Sequence, residues 1–219
     1  VHYLGFGTQK GGYGSTGTLQ TTGYLEGRDL EIRSDGSFEI AVSEEPQPGN
    51  WLRMEHESRM LIVRQTRLDH AREVPAQIRI ERVDGPHRPR PFSPAQLARS
   101  LAGSAAFVGG CARLFASWAG DFQKHPNRLP RFDPEKALRA GGDPNIAYYH
   151  SYWKLAPDEA LVIEATPPKC DYWNFQLANH WLESLDYRYY RIHLNPFTAQ
   201  LRGDGSVRVV VAHSDPGVE

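Results

Sequence analysis

The residue types that could do chemistry are densest in residues 171–187, which are rich in aromatic and amide side chains. Read as a β-strand, this segment places Trp173, Phe175 and Leu177 on one face. The opposite face then holds Tyr172, Asn174, Gln176, Ala178 and His180. Because amides donate and accept hydrogen bonds and tyrosine joins a ring to a hydroxyl, this second face could line a pocket for a polar organic ligand. The same alternation is equally compatible with a face that meets solvent or pairs with backbone.

A second polar row precedes this segment along the chain. Residues 148–155 alternate in the same way, which places on one face Tyr148, His150, Tyr152 and Lys154. If the two rows look toward each other, the site contains two imidazoles, several phenols and a carboxylate from Glu164 or Glu183. Because histidine titrates near neutral pH, such a group could act as general acid and base, or it could bind a metal.

Seven residues are therefore the candidates for a functional site. The candidate catalytic residues are His180, His150 and Glu183. The candidate ligand-binding residues are Tyr172, Asn174, Gln176 and Tyr152. No metal ligand is assigned, because the H-x-x-E spacing of residues 180–183 suits a helix better than a strand and the sequence has no H-E-x-x-H motif. The sequence indicates no particular cofactor, so the cofactor is unknown. Enzymatic activity is left open, and no G-x-S-x-G nucleophile elbow occurs in the sequence.

Composition limits the partners and the location. The 219 residues include 25 Lys and Arg and 26 Asp and Glu, for a net charge of −1, so no overall field favours nucleic acid or an anionic membrane. The densest basic stretch, residues 87–91, is short and Pro-rich and indicates a solvated linker. No apolar run is long enough to span a bilayer and no leader is evident. The two cysteines fit a reducing compartment, which predicts a cytoplasmic protein, or a periplasmic one if a leader has been removed.

Two segments of the chain form an internal repeat. Residues 33–43 and 202–212 share the same register, each with an Asp-Gly turn that leads into a half-buried strand. The first copy continues through Pro-Gly into Asn-Trp-Leu at residues 50–52. The second copy stops at Pro-Gly-Val-Glu, residues 216–219, where an equivalent Asn-Trp-Leu is expected next. The repeat thus predicts a chain that is truncated at its C-terminal end.

Hydrophobic patterning predicts strands on both sides of one long helix. The predicted strands cover about residues 23–32, 37–43, 60–67, 76–83, 148–155, 160–166, 172–179, 189–194 and 206–213. The glycine-rich opening at 5–14 is predicted to be a flexible loop or arm. A helix is predicted over 94–123, with Ser93 and Gln96 as a capping box. Gly109 and Gly110 predict a kink there or two helices, unless a neighbour packs unusually close.

This order of elements is typical of a mainly β fold with a helical insertion, in the α+β class. We expect an antiparallel β-sandwich with a jelly-roll-like arrangement. The β-rich N-terminal part covers residues 1–125 and the β-rich C-terminal part residues 145–219. Both parts are expected to form one compact unit.

Three segments of the C-terminal third carry a resemblance to a known family. D-E-A-L-V-I-E at 158–164, Y-W-N-F-Q-L-A-N-H-W-L-E-S-L-D-Y at 172–187 and D-G-S-V-R-V-V-V-A-H-S-D-P-G at 204–217 resemble the bacterial proteins grouped as domain of unknown function 1214. The resemblance implies a β-sandwich or jelly-roll-like fold with helices, often joined to a second domain of unknown function. It implies no catalytic residues.

Two classes of function fit these observations. The first is a ligand-binding domain with an aromatic and amide-lined cavity, with hydrolase- or lyase-like chemistry by histidine and carboxylate, or with sugar stacking on the aromatic faces. The alternative is a non-catalytic scaffold or homo-oligomer assembly module, in which strand edges and aromatic side chains form a subunit interface.

Overall fold

The computed structural model describes residues 1–69, 71–85, 88 and 91–217, and it divides into two compact units. Val1–Leu114 and Asp133–Ala147 form the N-terminal unit. Phe115–Phe132 and Tyr148–Glu219 form the C-terminal unit. The division therefore falls inside the long helix, and it assigns residues 133–147 to the N-terminal unit. The sequence predicts one compact unit, with a β-rich N-terminal part at residues 1–125 and a β-rich C-terminal part at residues 145–219.

The fold is mainly β, as the sequence predicts, with few helices among the described residues. The elements in chain order are β1 Tyr3–Gly12, β2 Thr18–Glu26, a 3-10 turn Gly27–Asp29, β3 Ala41–Ser43, β4 Trp51–Arg53, β5 Ser58–Thr66, α1 Pro94–Phe122, α2 Pro134–Arg139, β6 Ala160–Ala165, β7 Phe175–Gln176, β8 His193–Leu194 and β9 Val207–Ala212. The sheets are small: β2-β1-β5, β6-β9 and β7-β8 are antiparallel, whereas β3 and β4 pair in parallel. None of the helices in the described ranges is long and apolar enough to cross a membrane.

The glycine-rich opening is the central strand of the largest sheet, so the predicted flexible arm is wrong. β1 pairs with β2 on one side and with β5 on the other. Its polar side chains are buried but satisfied, since Thr8 Oγ1 donates to the Arg53 carbonyl at 2.6 Å and Gln9 Nε2 donates to the Gly141 carbonyl at 3.0 Å. Ladder bonds on both edges stabilise a segment whose composition alone favours a loop.

Two of the predicted strands are missing. Residues 76–83 form neither helix nor strand, and Ile80 is 74% exposed. Gln65 exchanges two hydrogen bonds with the backbone of Ala76, but no described strand pairs with the segment that follows. Residues 148–155 make only isolated bridges, to Pro126 and Arg131. Alternation describes the faces of a strand, yet a strand persists only where a neighbour supplies its hydrogen bonds.

Helix α1 is continuous through its two glycines, so the predicted division into two helices is wrong, and the close packing named as the exception occurs at Gly110. At its start, Ser93 Oγ accepts from the Gln96 amide at 3.2 Å and Gln96 Oε1 accepts from the Ser93 amide at 2.9 Å, which confirms the capping box. A side chain at Gly110 would overlap the carbonyl oxygen of Tyr13 in the β1–β2 turn. The glycine lets the helix backbone approach the turn closely.

The C-terminal unit is built around three valines of β9. Val207, Val209 and Val211 form a buried cluster, against which Trp173, Phe175, Leu177 and their neighbours pack. Opposite them in the β6-β9 sheet, Leu161 and Ile163 lie in register with Val211 and Val209 and complete the apolar face. This arrangement confirms the predicted alternation on the apolar side of residues 173–177.

Both copies of the internal repeat form the same turn. Gly36 and Gly205 have φ values of 83° and 80°, which glycine adopts without a Cβ clash. In each copy the aspartate carboxylate accepts from the serine amide two residues later at 2.9 Å, and the flanking arginine amide donates back across the turn. The two copies are therefore structurally equivalent at the turn, whereas the strands that follow differ in their partners, since β3 pairs with β4 and β9 pairs with β6. Residues 87, 89, 90, 218 and 219, which include most of the predicted linker and the segment after the second Pro-Gly, lie outside the described residues.

Candidate functional site

Three aromatic and imidazole side chains of the C-terminal unit meet at its surface. The Tyr152 hydroxyl lies 3.2 Å from Nδ1 of His180, and the two rings are perpendicular, with centroids 5.9 Å apart. The His180 ring in turn makes an edge contact with the Trp181 indole at 4.7 Å. We call Tyr152, His180 and Trp181 the aromatic–imidazole patch. The contact between Tyr152 and His180 joins the two polar rows of the sequence at one point.

The geometry of the patch fixes the orientation of the imidazole. The Tyr152 hydroxyl engages Nδ1 of His180, which leaves Nε2 as the ring nitrogen for a further partner. His180 is exposed, and Trp181 is 58% exposed, so an indole ring stands beside the imidazole at the surface. Such an arrangement can combine ring stacking with a hydrogen bond or with proton transfer.

Glu183 is engaged in a local turn next to the patch. Its carboxylate accepts from Asn179 Nδ2 at 2.7 Å, and the Asn179 side-chain oxygen accepts from the amides of Trp181 and Glu183. Leu182, inside this turn, has a φ of 62°. Gln176 is held nearby, since its Nε2 donates to Ser184 Oγ at 3.2 Å. Glu183 and Gln176 thus order the segment that carries His180 and Trp181.

His150 lies among aromatic rings. Its imidazole stacks on Phe122 at 4.9 Å, meets Phe132 edge-on at 4.9 Å, and lies 6.1 Å from the Tyr148 ring. Burial in this setting lowers the pKa of His150 from its usual 6.5, because desolvation disfavours the charged form. A neutral, ring-packed histidine of this kind contributes to packing.

The two remaining candidates are Tyr172 and Asn174. Tyr172 is half-buried, and its carbonyl lies 3.5 Å from the Cys170 thiol. Asn174 is exposed between the two core-facing rings of Trp173 and Phe175.

A polar cluster in the N-terminal unit was not foreseen from the sequence. The Tyr3 hydroxyl donates to Asp143 Oδ2 at 2.6 Å and lies 2.6 Å from the Tyr24 hydroxyl. Asn145 Nδ2 donates to Tyr24 at 3.3 Å and to Glu26 Oε2 at 3.1 Å. The hydrogen bonds run from one residue to the next across β1, β2 and the loop after α2, so they hold that loop on the sheet.

Burial sets the protonation of this polar cluster. The Asp143 side chain is 0% exposed, and Arg64 Nη1 lies 3.9 Å from its carboxylate. Burial, followed by the hydrogen bond to Asp143, raises the pKa of Tyr3 far above its usual value. Burial also raises the pKa of Tyr24. Both phenols are therefore neutral donors at physiological pH.

The sequence holds only a weak signal for this cluster. Asp143 and Asn145 form a local turn, in which Asp143 Oδ1 accepts from the Asn145 amide at 2.9 Å, within a Gly- and Pro-rich segment that indicates a boundary. Tyr3 lies 140 positions away, and no spacing rule connects it to that turn.

The described residues contain no group of three or more His, Cys, Asp or Glu side chains that could hold a metal ion. The C-terminal unit has an open cavity of about 320 Å³. Its walls are Phe175, Leu177, residues 191–194, residues 198–200 and residues 207–211. None of the seven candidate residues from the sequence is among them, so this cavity has a different lining from the one expected.

Comparison with known proteins gives a fold relationship. The chain is similar to an uncharacterized protein from Burkholderia cenocepacia of known crystal structure, at 51% sequence identity and a TM-score of 0.95. The match covers 98% of this chain and 60% of that chain, so this chain spans about 60% of the length of that protein. No protein-family model and no curated protein matches the chain. The chain is thus similar in sequence and fold to a longer protein described as uncharacterized.

Proposed function

We propose that the protein binds a small organic ligand at the aromatic–imidazole patch of the C-terminal unit. The observation that carries the proposal is the 3.2 Å contact between the Tyr152 hydroxyl and His180 Nδ1, beside the exposed Trp181 indole. A ring-bearing ligand with one polar group could stack on the indole and bond to His180 Nε2.

The patch also provides the groups for acid–base chemistry of the hydrolase or lyase type. An imidazole oriented by a hydroxyl can take up or release a proton at its other nitrogen. Tyr152 acts on the ligand through His180, so it is a positioning residue. Glu183 supports the patch by ordering the turn at residues 179–184.

Ligand-observed NMR with a panel of aromatic carboxylates, aromatic alcohols and monosaccharides tests this proposal. For compounds that bind, His180→Ala should weaken binding about tenfold, and Tyr152→Phe should weaken it less, since each loses a hydrogen bond. Melting temperatures of both variants should stay close to that of the original protein, because His180 is exposed.

The matched control is His56→Ala, which removes an exposed histidine of the N-terminal unit whose side chain is 92% exposed and pairs with Glu44. Binding that survives His180→Ala unchanged, or that is lost equally with His56→Ala, would contradict the proposal.

A second candidate function is supported by exposed aromatic side chains. Trp181, Tyr187, Tyr189 and Tyr190 are each more than half exposed within one short segment of the C-terminal unit. Aromatic side chains are enriched at protein interfaces, so this segment also suits a homo-oligomer or assembly contact. Analytical ultracentrifugation of Tyr189→Ser with Tyr190→Ser against the original protein distinguishes the two, since only an assembly contact predicts a change in mass.

We also infer the finer fold and the family. The valines of β9 pack against Phe175 and Leu194 of the β7-β8 pair and against the adjacent Leu177, which supports a two-layer, sandwich-like packing in the C-terminal unit. Membership in the group called domain of unknown function 1214 rests on the three motifs of the C-terminal third. Long-range amide–amide NOEs that give the strand order across both layers would test the jelly-roll arrangement.

A further inference from the structure

The open cavity of the C-terminal unit is a groove between two strand edges. Among the described residues, β8 pairs with β7 alone and β9 pairs with β6 alone. The cavity is lined by the unbroken runs 191–194 and 207–211. Because successive side chains of a strand point to opposite faces, a wall made of consecutive residues presents the edge of the backbone. Phe175 and Leu177 add an apolar floor.

The first copy of the internal repeat shows what lies beside the equivalent strand edge. After the Asp35-Gly36 turn, β3 pairs in parallel with β4. The Ala41 amide donates to the Asn50 carbonyl at 2.9 Å, and the Met54 amide donates to the Ser43 carbonyl at 2.9 Å. Aligning the two Asp-Gly turns places Val210 at the position of Ala41, and Ala212 at that of Ser43. The groove edge of β9 is thus equivalent to the β3 edge that β4 covers.

Asn50 shows how such a strand is locked in place. Its Nδ2 donates to the carbonyls of Glu31 and Glu39, each at 3.0 Å, and its Oδ1 accepts from the Glu31 amide at 2.7 Å. The amide thereby clamps the two arms of the turn. In the second copy the equivalent positions are Gln200 and Arg208, and both line the groove.

We propose that the groove between β8 and β9 accepts an extended peptide strand that runs parallel to β9 and carries the pattern Asn-aromatic-aliphatic. The asparagine takes the place of Asn50, and the aliphatic residue takes the place of Leu52, which is 0% exposed beside β3. The apolar floor receives that residue. Backbone pairing along a free strand edge supplies the affinity, and the side-chain pattern supplies the specificity.

The occupant is a strand from outside the described residues. The one segment in the described ranges with this pattern, β4, is already paired with β3 in the N-terminal unit. A second copy of the chain would have to unpair its own β4 in order to fill the groove. A separate strand fills it at no such cost.

Fluorescence anisotropy with a labelled peptide of residues 46–54, Pro-Gln-Pro-Gly-Asn-Trp-Leu-Arg-Met, tests the proposal on the intact chain. We expect saturable binding, and about tenfold weaker binding for the same peptide with alanine in place of its asparagine. Hydrogen–deuterium exchange should show new protection at the Val210 and Ala212 amides when the peptide is added.

Two proline variants provide a matched pair. By the equivalence with Ala41, the Val210 amide is expected to face the groove, so Val210→Pro should weaken binding of the peptide about tenfold. Val162→Pro is the control, because Val162 lies directly opposite Val210 and its amide then faces the other edge of the sheet, so binding should be unchanged. Proline is tolerated at strand edges, and the exchange measurement tests the site even if Val210→Pro fails to fold.

Three results would overturn the proposal. They are the absence of saturable binding, equal binding of the alanine peptide, and protection that appears at β3 in place of β9. Protection of β9 that grows with protein concentration in the absence of peptide would also overturn it, in favour of a second copy as the occupant.

Discussion

The buried carboxylate of Asp143 is the residue on which the polar cluster of the N-terminal unit depends. It accepts from the Tyr3 hydroxyl and from the Asn145 amide, and Arg64 lies 3.9 Å away. A buried carboxylate is costly unless donors surround it. The cluster therefore makes each of its donors important for stability.

Tyr3→Phe should destabilise the protein by about 1–3 kcal/mol, because it removes a donor from a buried carboxylate and leaves the Tyr24 hydroxyl with one partner fewer. Urea unfolding followed by circular dichroism measures the change. Tyr187→Phe is the control, since Tyr187 is 69% exposed, and its effect should stay within about 0.5 kcal/mol. Equal stabilities of the two variants would show that the Tyr3 hydroxyl contributes nothing.

His150 makes stability depend on pH. Its pKa in the folded protein is lowered below the usual 6.5 by burial, so between the two values the unfolded chain binds more protons than the folded one. The contribution of His150 to the free energy of unfolding is thus fully present above about pH 6.5. It is lost as the pH falls through the lowered pKa. The melting temperature of the original protein should fall more between about pH 7.5 and pH 5 than that of His150→Phe. Parallel curves would contradict this.

At the scale of elements, α1 shows how one contact overrides local propensity. Two adjacent glycines favour a break in an isolated helix, yet α1 runs unbroken from Pro94 to Phe122. The approach of Gly110 to the Tyr13 carbonyl explains why a side chain is excluded there. Gly110 therefore allows α1 to pack closely against the β1–β2 turn.

Gly110→Ala should destabilise the protein by about 1–3 kcal/mol, because the new methyl group overlaps backbone that cannot easily move. Gly103→Ala in the same helix is the matched control. In the part of the chain that the structure describes, no atom beyond the neighbouring helix backbone lies within 4 Å of the Cβ position at Gly103, so alanine there should stabilise the helix by up to about 1 kcal/mol. Thermal melts of both variants give the comparison, and a neutral Gly110→Ala would refute the close approach.

At the scale of the whole molecule, charge and exposed apolar surface act together. The net charge is −1 and the isoelectric point is about 6.8. Trp181, Tyr189 and Tyr190 add exposed aromatic surface in the C-terminal unit. Little repulsion between molecules opposes contacts through such surface near neutral pH.

Solubility should therefore be lowest near pH 6.8 and should rise on both sides of it. Precipitation by polyethylene glycol across about pH 5 to 9 measures this. Tyr189→Glu should raise the solubility at pH 7 and move the minimum to lower pH, because it removes aromatic surface and adds negative charge. A solubility that does not vary with pH would contradict the expectation.

The local sequence pattern was sufficient to predict those structural features whose stabilising contacts are local. The capping box of Ser93 and Gln96 and the two Asp-Gly turns depend on neighbours within a few positions. For these features the sequence by itself determined the structure, because each hydrogen bond joins residues of the same helix turn or the same β-turn.

Features that depend on distant partners were decided only by tertiary structure. The opening glycine-rich segment became a central strand because β2 and β5 supply hydrogen bonds on both of its edges. Residues 76–83 did not become a strand, because no described neighbour pairs with them. The bond between Tyr3 and Asp143 joins residues 140 positions apart. Packing and burial in the folded chain determine such partners. The spacing of residue types along the sequence therefore does not predict them.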